Sequence, residues 1–145
     1  MGKKKEIDDR FKKFGTKSFT LTSKVNDFID YLEKEKVMGT KCKDCNINFF
    51  PPRADCASCL KSDLEWFDAT NDTGELVTFS KMKYGPIGFE KDLPYTIALV
   101  DFGDYKIFGR IGKNIADKDI QIGMKMKVKV NKLDNDRINY IFEKI

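Results

Sequence analysis

The sequence predicts a mainly β chain with an α-helical N-terminal segment: two short helices, a cysteine-clipped ribbon and a five-stranded β-barrel. Three observations predict it. All four cysteines stand in two C-x-x-C pairs within "CKDCNINFFPPRADCASC". From Trp66 onward, apolar residues recur with period two in runs separated by turn residues. Before Gly39 they recur instead at spacings of three and four. The expected division is residues 1–37 for the helical segment, 38–65 for the ribbon and 66–145 for the barrel. A chain of 145 residues accommodates a small module joined to a domain of this size.

In chain order, "KEIDDRFKKF" sets Ile7, Phe11 and Phe14 at i, i+4 and i+7, with Gly15 behind them as a helix stop. A second helix is expected from about Ser23 to Val37. Ser23 would cap it, Val25, Phe28, Ile29 and Leu32 would form its stripe, and Gly39 would end it. Each stripe either packs on the rest of the chain or docks a partner, because short helices cannot bury an apolar face alone.

Beyond the cysteines, Leu76, Thr78 and Ser80 alternate with Val77, Phe79 and Lys81 in a first strand. "YGPIGFEKDLP" is a turn-rich loop. "YTIALVDF" is apolar on both faces and reads as a central strand. Gly103 and Asp104 turn the chain into "YKIFGRIG". After a longer connection, "MKMKVKV" alternates strictly, with Met124, Met126, Val128 and Val130 inward. "DND" leads into "RINYIFEKI".

Two C-x-x-C pairs offer four soft thiolates in a small volume, as a tetrahedral Zn²⁺ site requires. Cys42, Cys45, Cys56 and Cys59 are the expected ligands of one structural zinc per chain; disulfides, iron and redox chemistry are the alternatives. The gap between pairs is ten residues, Asn46 to Asp55, shorter than the common spacing of about fifteen to twenty but long enough for a hairpin. With four cysteines bound, no position stays open for substrate, so the site is structural.

The net charge of +4 is concentrated at the start. Residues 1–13 hold six basic and three acidic residues, and residues 66–145 hold thirteen and twelve. A nucleic-acid binder carries a larger basic surplus. Histidine is absent, which removes the commonest general base. The longest apolar run, "TIALV", is too short to cross a bilayer. "MGKKKEIDDR" lacks the apolar region of a signal peptide, and Glu6 stands where myristoylation needs Ser or Thr. No membrane association and a cytoplasmic location are therefore expected.

Arg110, after Gly109 in "FGRI", can fork onto a phosphate or form a structural ion pair. Lys81, Lys83 and Tyr84 precede the "GPIGF" loop at a barrel rim; they are ligand contacts or ordinary strand-end polarity. Lys125, Lys127 and Lys129 share one strand face, either solvated or phosphate-contacting.

"GTKCKDCNINFFPPRADCASC" resembles the rubredoxin-like zinc ribbon of an archaeal and bacterial family that joins such a ribbon to an OB-fold. The likeness continues through "GELVTFS", "PYTIALVDF", "FGRI" and "IGMKMKVKV", and so spans about residues 38–145. Asn46 departs from it, standing where the family usually has Gly. Asn tolerates the left-handed conformation, so the knuckle should survive. The resemblance implies an OB-fold barrel and a non-catalytic acyl-CoA-binding scaffold. Its partner would be a thiolase or related condensing enzyme. Arg110, Lys81, Lys83 and Tyr84 would lie nearest the CoA, and Ile7, Phe11 and Phe14 would dock the enzyme. The alternative is a nucleic-acid-binding ribbon and OB protein, with aromatics of "VTFSKMKY" stacking on bases.

Overall fold

The structure, a computed structural model, describes residues 7–20 and 22–145. Strands β1 (Met38–Cys42), β2 (Asn48–Phe49) and β3 (Leu64–Asp68) form an antiparallel sheet in the order β2-β1-β3. Strands β4 (Gly74–Met82), β5 (Tyr95–Asp101), β6 (Lys106–Ile111), β7 (Lys125–Lys132) and β8 (Ile138–Lys144) close a barrel in the order β4-β5-β6-β8-β7. Four of its contacts are antiparallel; β6 and β8 run parallel. This is an OB-fold: three meandering strands, a crossover, then a hairpin that closes the barrel. Trp66 belongs to the ribbon sheet, opposite Thr40.

Inner and outer faces alternate along the barrel strands, as read in the sequence for β7, and also along β5, whose residues are apolar on both faces. Along β5, Thr96, Ala98 and Val100 are buried while Tyr95, Ile97 and Leu99 lie half-buried on the outer face. On β7, Met126 and Val128 are buried between exposed lysines. A bulge between Leu76 and Thr78 shifts β4, leaving Val77 and Phe79 partly exposed. Asn135 and Asp136, both with positive φ, make the β7–β8 turn.

The helical segment differs from its expectation. Ile7–Phe14 holds a single 3-10 turn, Arg10–Lys13, in place of a helix; residues 5 and 6 of that expected helix lie outside the described residues. The second helix, α1, is confined to Asp27–Glu33. Asn26, not Ser23, stands at its N-cap position, and Val25 N–H donates to Ser23 Oγ at 3.1 Å. The helix stops before Glu35, which has φ 64°, so Gly39 is not its terminator. Gly39 is a strand residue: a Cβ there would lie 2.5 Å from the Phe67 ring and 2.6 Å from the Phe49 carbonyl oxygen.

Phe28, Ile29 and Leu32 of α1 share one core with Val37 and Ala69 of the ribbon region and Ile138 and Phe142 of the barrel. Phe50, from "FFPPR", joins these parts. Its ring centroid lies 5.3 Å from Tyr140 on β8 and 6.1 Å from Phe28. Thr40 Oγ donates to the Arg53 carbonyl and accepts from Arg53 N–H, both at 2.8 Å, tying the same block to β1.

Candidate functional site

The two C-x-x-C pairs fold as matching knuckles. In one, Cys42 N–H donates to Ile47 O at 3.0 Å and Asn46 N–H to Cys42 O at 2.9 Å. In the other, Cys56 N–H donates to Lys61 O at 2.9 Å and Leu60 N–H to Cys56 O at 3.0 Å. The residue after the second cysteine is left-handed in both: Asn46 has φ 56° and Leu60 φ 63°. Asparagine accepts that conformation readily, so the departure from Gly leaves the turn intact.

All four sulfurs lie within 4.8 Å of one another, and Cys42 Sγ is 3.7 Å from Cys59 Sγ. Sulfurs about 2.3 Å from a tetrahedral zinc stand about 3.8 Å apart, so the donor set fits such an ion. None of the four is in a disulfide. Backbone N–H groups of Cys45 and Ser58 point at Cys42 Sγ and Cys56 Sγ, each at 3.4 Å. The thiols share their protons unequally. The Cys59 N–H and then that of Ser58 pull Cys56 down to about 7, while the Cys59 sulfur and burial push Cys45 up to about 12. A divalent cation held by these four sulfurs would take all of them as thiolates.

The second feature lies on the outer face of β5 and β6. Cross-strand register sets Ile97 opposite Arg110 and Leu99 opposite Phe108. Beside them is a groove of about 510 Å³, lined mainly by apolar side chains including Met82, Tyr95, Ile97, Phe108 and Tyr140. Phe14, Gly15, Thr16, Lys17 and Phe19 contribute one wall. Arg110 sits at this groove with its guanidinium 4.0 Å from the Tyr95 ring centroid and 5.6 Å from that of Phe89. Its Nη1 donates to Asp92 Oδ2 at 3.0 Å. Thr16 Oγ also donates to Asp92, and Lys113 Nζ to the Asp92 carbonyl at 2.9 Å. Burial raises the Asp92 pKa, but hydrogen bonds from Thr16 and Arg110 outweigh it and hold the carboxyl below its ordinary value.

Comparison with known proteins covers the ribbon and the barrel. A family model for the ChsH2 rubredoxin-like zinc ribbon domain matches residues 30–65, and one for the ChsH2 C-terminal OB-fold domain matches residues 67–131. The chain carries both ChsH2 family domains, the zinc ribbon and the C-terminal OB-fold, and has homologues in the DUF35 family. A DUF35 domain-containing scaffold protein of Methanocaldococcus jannaschii is 29% identical over 106 residues, covering 72% of this chain and 74% of the relative. One from Pyrococcus furiosus is 27% identical over 109 residues, covering 73% and 79%. Among solved structures, a chain of the Ltp2-ChsH2(DUF35) aldolase superposes with a TM-score of 0.65 at 22% identity, covering 79% of this chain and 89% of that one. A DUF35 protein of unknown function from Sulfolobus solfataricus gives 0.54 at 22%, covering 76% and 81%. The zinc ribbon and OB-fold expected for this family are both present, and the four cysteines are positioned to bind one metal ion.

The structure separates the other sequence candidates. Lys81 pairs across the sheet with Thr96, so it lies on the face opposite Arg110, and its ammonium bonds to Asp117. It therefore does not join Arg110 in one cluster. Lys83 and Tyr84 stand exposed where β4 enters its loop, Tyr84 at 86%. Gly109 makes room for the chain's own rings, not for a ligand: a Cβ there would lie 2.9 Å from Tyr140 Cε2. Lys125 bonds to Glu75, and Lys127 and Lys129 approach Glu143 at 4.0 and 3.2 Å. That face is an array of exposed ion pairs, which leaves little free charge for a phosphate backbone.

The expected docking stripe divides as well. Ile7 is 61% exposed. Phe11 and Phe14 turn inward: Phe11 stacks 6.1 Å from Phe28, and Phe14 lies 5.8 Å from Phe28 and 6.1 Å from Tyr140. A 3-10 turn in place of a helix changes which side chains share a face, and two aromatic rings gain more from the core than from solvent. Sequence reasoning missed Asp92 and Tyr95, the partners of Arg110. Their signal was faint, an acid in a loop and a ring at a strand start, because their meeting depends on the fold.

Proposed function

We propose that this chain is a non-catalytic accessory subunit of a thiolase-type or related acyl-CoA condensing enzyme, working in the cytoplasm. It would meet acyl-CoA on its OB face and present it to the enzyme. The observation that carries the reading is an apolar outer β5–β6 face with one stacked arginine, in a chain whose cysteines are gathered at one metal site. The strand 2–3 face is where OB-folds take their ligands. Relatives named as DUF35 scaffold proteins, and a structural neighbour within the Ltp2-ChsH2(DUF35) aldolase, support an accessory role beside an enzyme.

Cys42, Cys45, Cys56 and Cys59 would hold one zinc, which supplies a cross-link and no reactive position. Through Phe50, that cross-linked ribbon braces β8 beside the groove. Arg110, with Lys83 and Tyr84 on the adjoining loop, would lie nearest the ligand's polar part. Lys81 would not take part while it holds Asp117. Ile7 is the member of the N-terminal stripe still available to dock an enzyme. The chain has no histidine, so the nucleophile and general base would be the partner's. The units would be the segment 1–37, the ribbon from residue 38 and the barrel up to residue 145, with the ribbon–barrel division falling after β3 and not at residue 66, because β3 pairs with β1 through Asp68.

The test is co-expression of the tagged chain with the condensing enzyme of its own cell, followed by size-exclusion chromatography. Co-elution at fixed stoichiometry, with condensing activity higher than for the enzyme alone, supports the reading. Separate elution with no change in activity contradicts it.

A further inference from the structure

The groove beside Arg110 has a chemistry of its own. Its volume, about 510 Å³, falls within the range of small-molecule sites, which are mostly apolar with a few placed polar groups. The walls are pinned from several sides. Gly15 N–H donates to Ile138 O at 2.8 Å, and Arg137 Nε donates to Gly15 O at 2.5 Å. Thr16 and Arg110 both meet Asp92, closing the β4–β5 loop against the N-terminal wall. A second pocket of about 230 Å³, over Thr78, Phe79 and Leu99, adjoins the groove and shares Ile97 and Phe108 with it. Together they form an elongated apolar track on a sheet face that would ordinarily be polar.

One end of this track carries charge. Among the described residues, the Arg110 guanidinium uses only Nη1 on Asp92, and Nε and Nη2 have no hydrogen-bond partner. Lys17 also lines the groove, its Nζ 5.7 Å from the Phe19 ring centroid. A long apolar surface with cationic donors at one end matches an extended hydrocarbon whose terminal carbon carries oxygen.

We infer that the groove binds an acyl chain, with the chain along Ile97 and Phe108 and its carboxylate or thioester carbonyl oxygen accepting from Arg110. This rests on the acyl-CoA reading above but changes the role of Arg110: it receives the acyl head, not a phosphate. Asp92 then competes with the ligand for the guanidinium and sets its orientation.

Calorimetric titration of the full zinc-loaded chain with decanoate, decanoyl-CoA and CoA tests this. Decanoate and decanoyl-CoA should bind, and CoA should bind at least about tenfold more weakly than decanoyl-CoA, the free acid separating chain recognition from nucleotide recognition. Ile97→Trp, on the outer face, fills the track and should abolish the decanoyl-dependent gain. Arg110→Ala should weaken decanoate by about tenfold or more. Asp92→Asn should leave decanoate binding equal or tighter, whereas loss in both variants would make Arg110 only a loop clasp and overturn its assignment. Equal binding of CoA and decanoyl-CoA, or an unchanged Ile97→Trp, would overturn the groove while leaving the accessory-subunit reading standing. Decanoate binding through Ile97 and Arg110, with no co-elution with the enzyme, would keep the groove and end that reading.

Discussion

Replacing Phe14 with alanine tests whether the N-terminal segment belongs to the fold. The ring lies 5.8 Å from Phe28, 6.1 Å from Tyr140 and 6.1 Å from Phe11, centroid to centroid. It is partly buried against the shared core. Complete burial would set the Phe→Ala cost at about 3–5 kcal/mol; partial burial brings it to about 2–3 kcal/mol, including lost ring pairing. For a chain of this size that corresponds to a Tm lower by about 5–10 °C. Ile7→Ala, at an exposed position, should change stability by no more than about 0.5 kcal/mol. Urea and thermal unfolding of zinc-loaded protein, followed by tryptophan fluorescence and circular dichroism, give both numbers. A Phe14→Ala protein as stable as wild type, with Ile7→Ala destabilised, would refute the packing argument and restore the segment as a free docking arm.

The remaining expectations concern the metal, the ribbon sheet, the lysine face and pH. Native protein should contain about one zinc per chain by elemental analysis, and Cys56→Ser should lose it and unfold the ribbon while the barrel's β signal persists; four free thiols and no metal would contradict this. Gly39→Ala should cost about 1–3 kcal/mol in urea unfolding, because its Cβ must displace Phe67 or the Phe49 backbone; a neutral result would show that β1 and β2 can separate freely. Lys127→Ala and Lys129→Ala should each change stability by less than about 1 kcal/mol, as exposed ion pairs do, and leave nucleic-acid retention unaltered; a large fall in strand binding would revive the nucleic-acid alternative. The depressed Asp92 contributes stability that is fully present above its unfolded value of 3.8 and is lost as pH falls through its lower folded value. Asp92→Asn should therefore flatten the acid limb of the stability curve below 3.8, and an unchanged limb would refute the coupling.

The barrel was legible because inner and outer faces differ in burial, which writes strict period two into β7, while β5, apolar on both faces, was legible as a short apolar run bounded by turn residues. The knuckles were legible because tetrahedral coordination dictates both residue type and spacing; Asn46 and Leu60 then supply the left-handed turns. Helix ends were less legible. Seven residues of α1 owe their order to Phe28, Ile29 and Leu32 in the core, so tertiary packing, more than capping by Ser23, sets where the helix begins. Arg110 was visible as a candidate, yet its partner Asp92 is eighteen residues away in sequence and its face was unreadable without strand register. The same register moved Lys81 to the opposite side. Gly109 misled because sequence shows that a glycine is needed and not what needs the space.

Service to an acyl-CoA condensing enzyme, with no chemistry of its own, is the role proposed for this chain. The most direct measurement of that role is calorimetric titration of acyl-CoA into the chain alone and into its co-purified complex with the enzyme, alongside turnover of each component. The expected result is acyl-CoA binding that Arg110→Ala weakens, together with condensing activity in the enzyme and its complex and none in the chain alone. No binding in either setting, or turnover by the isolated chain, would contradict it.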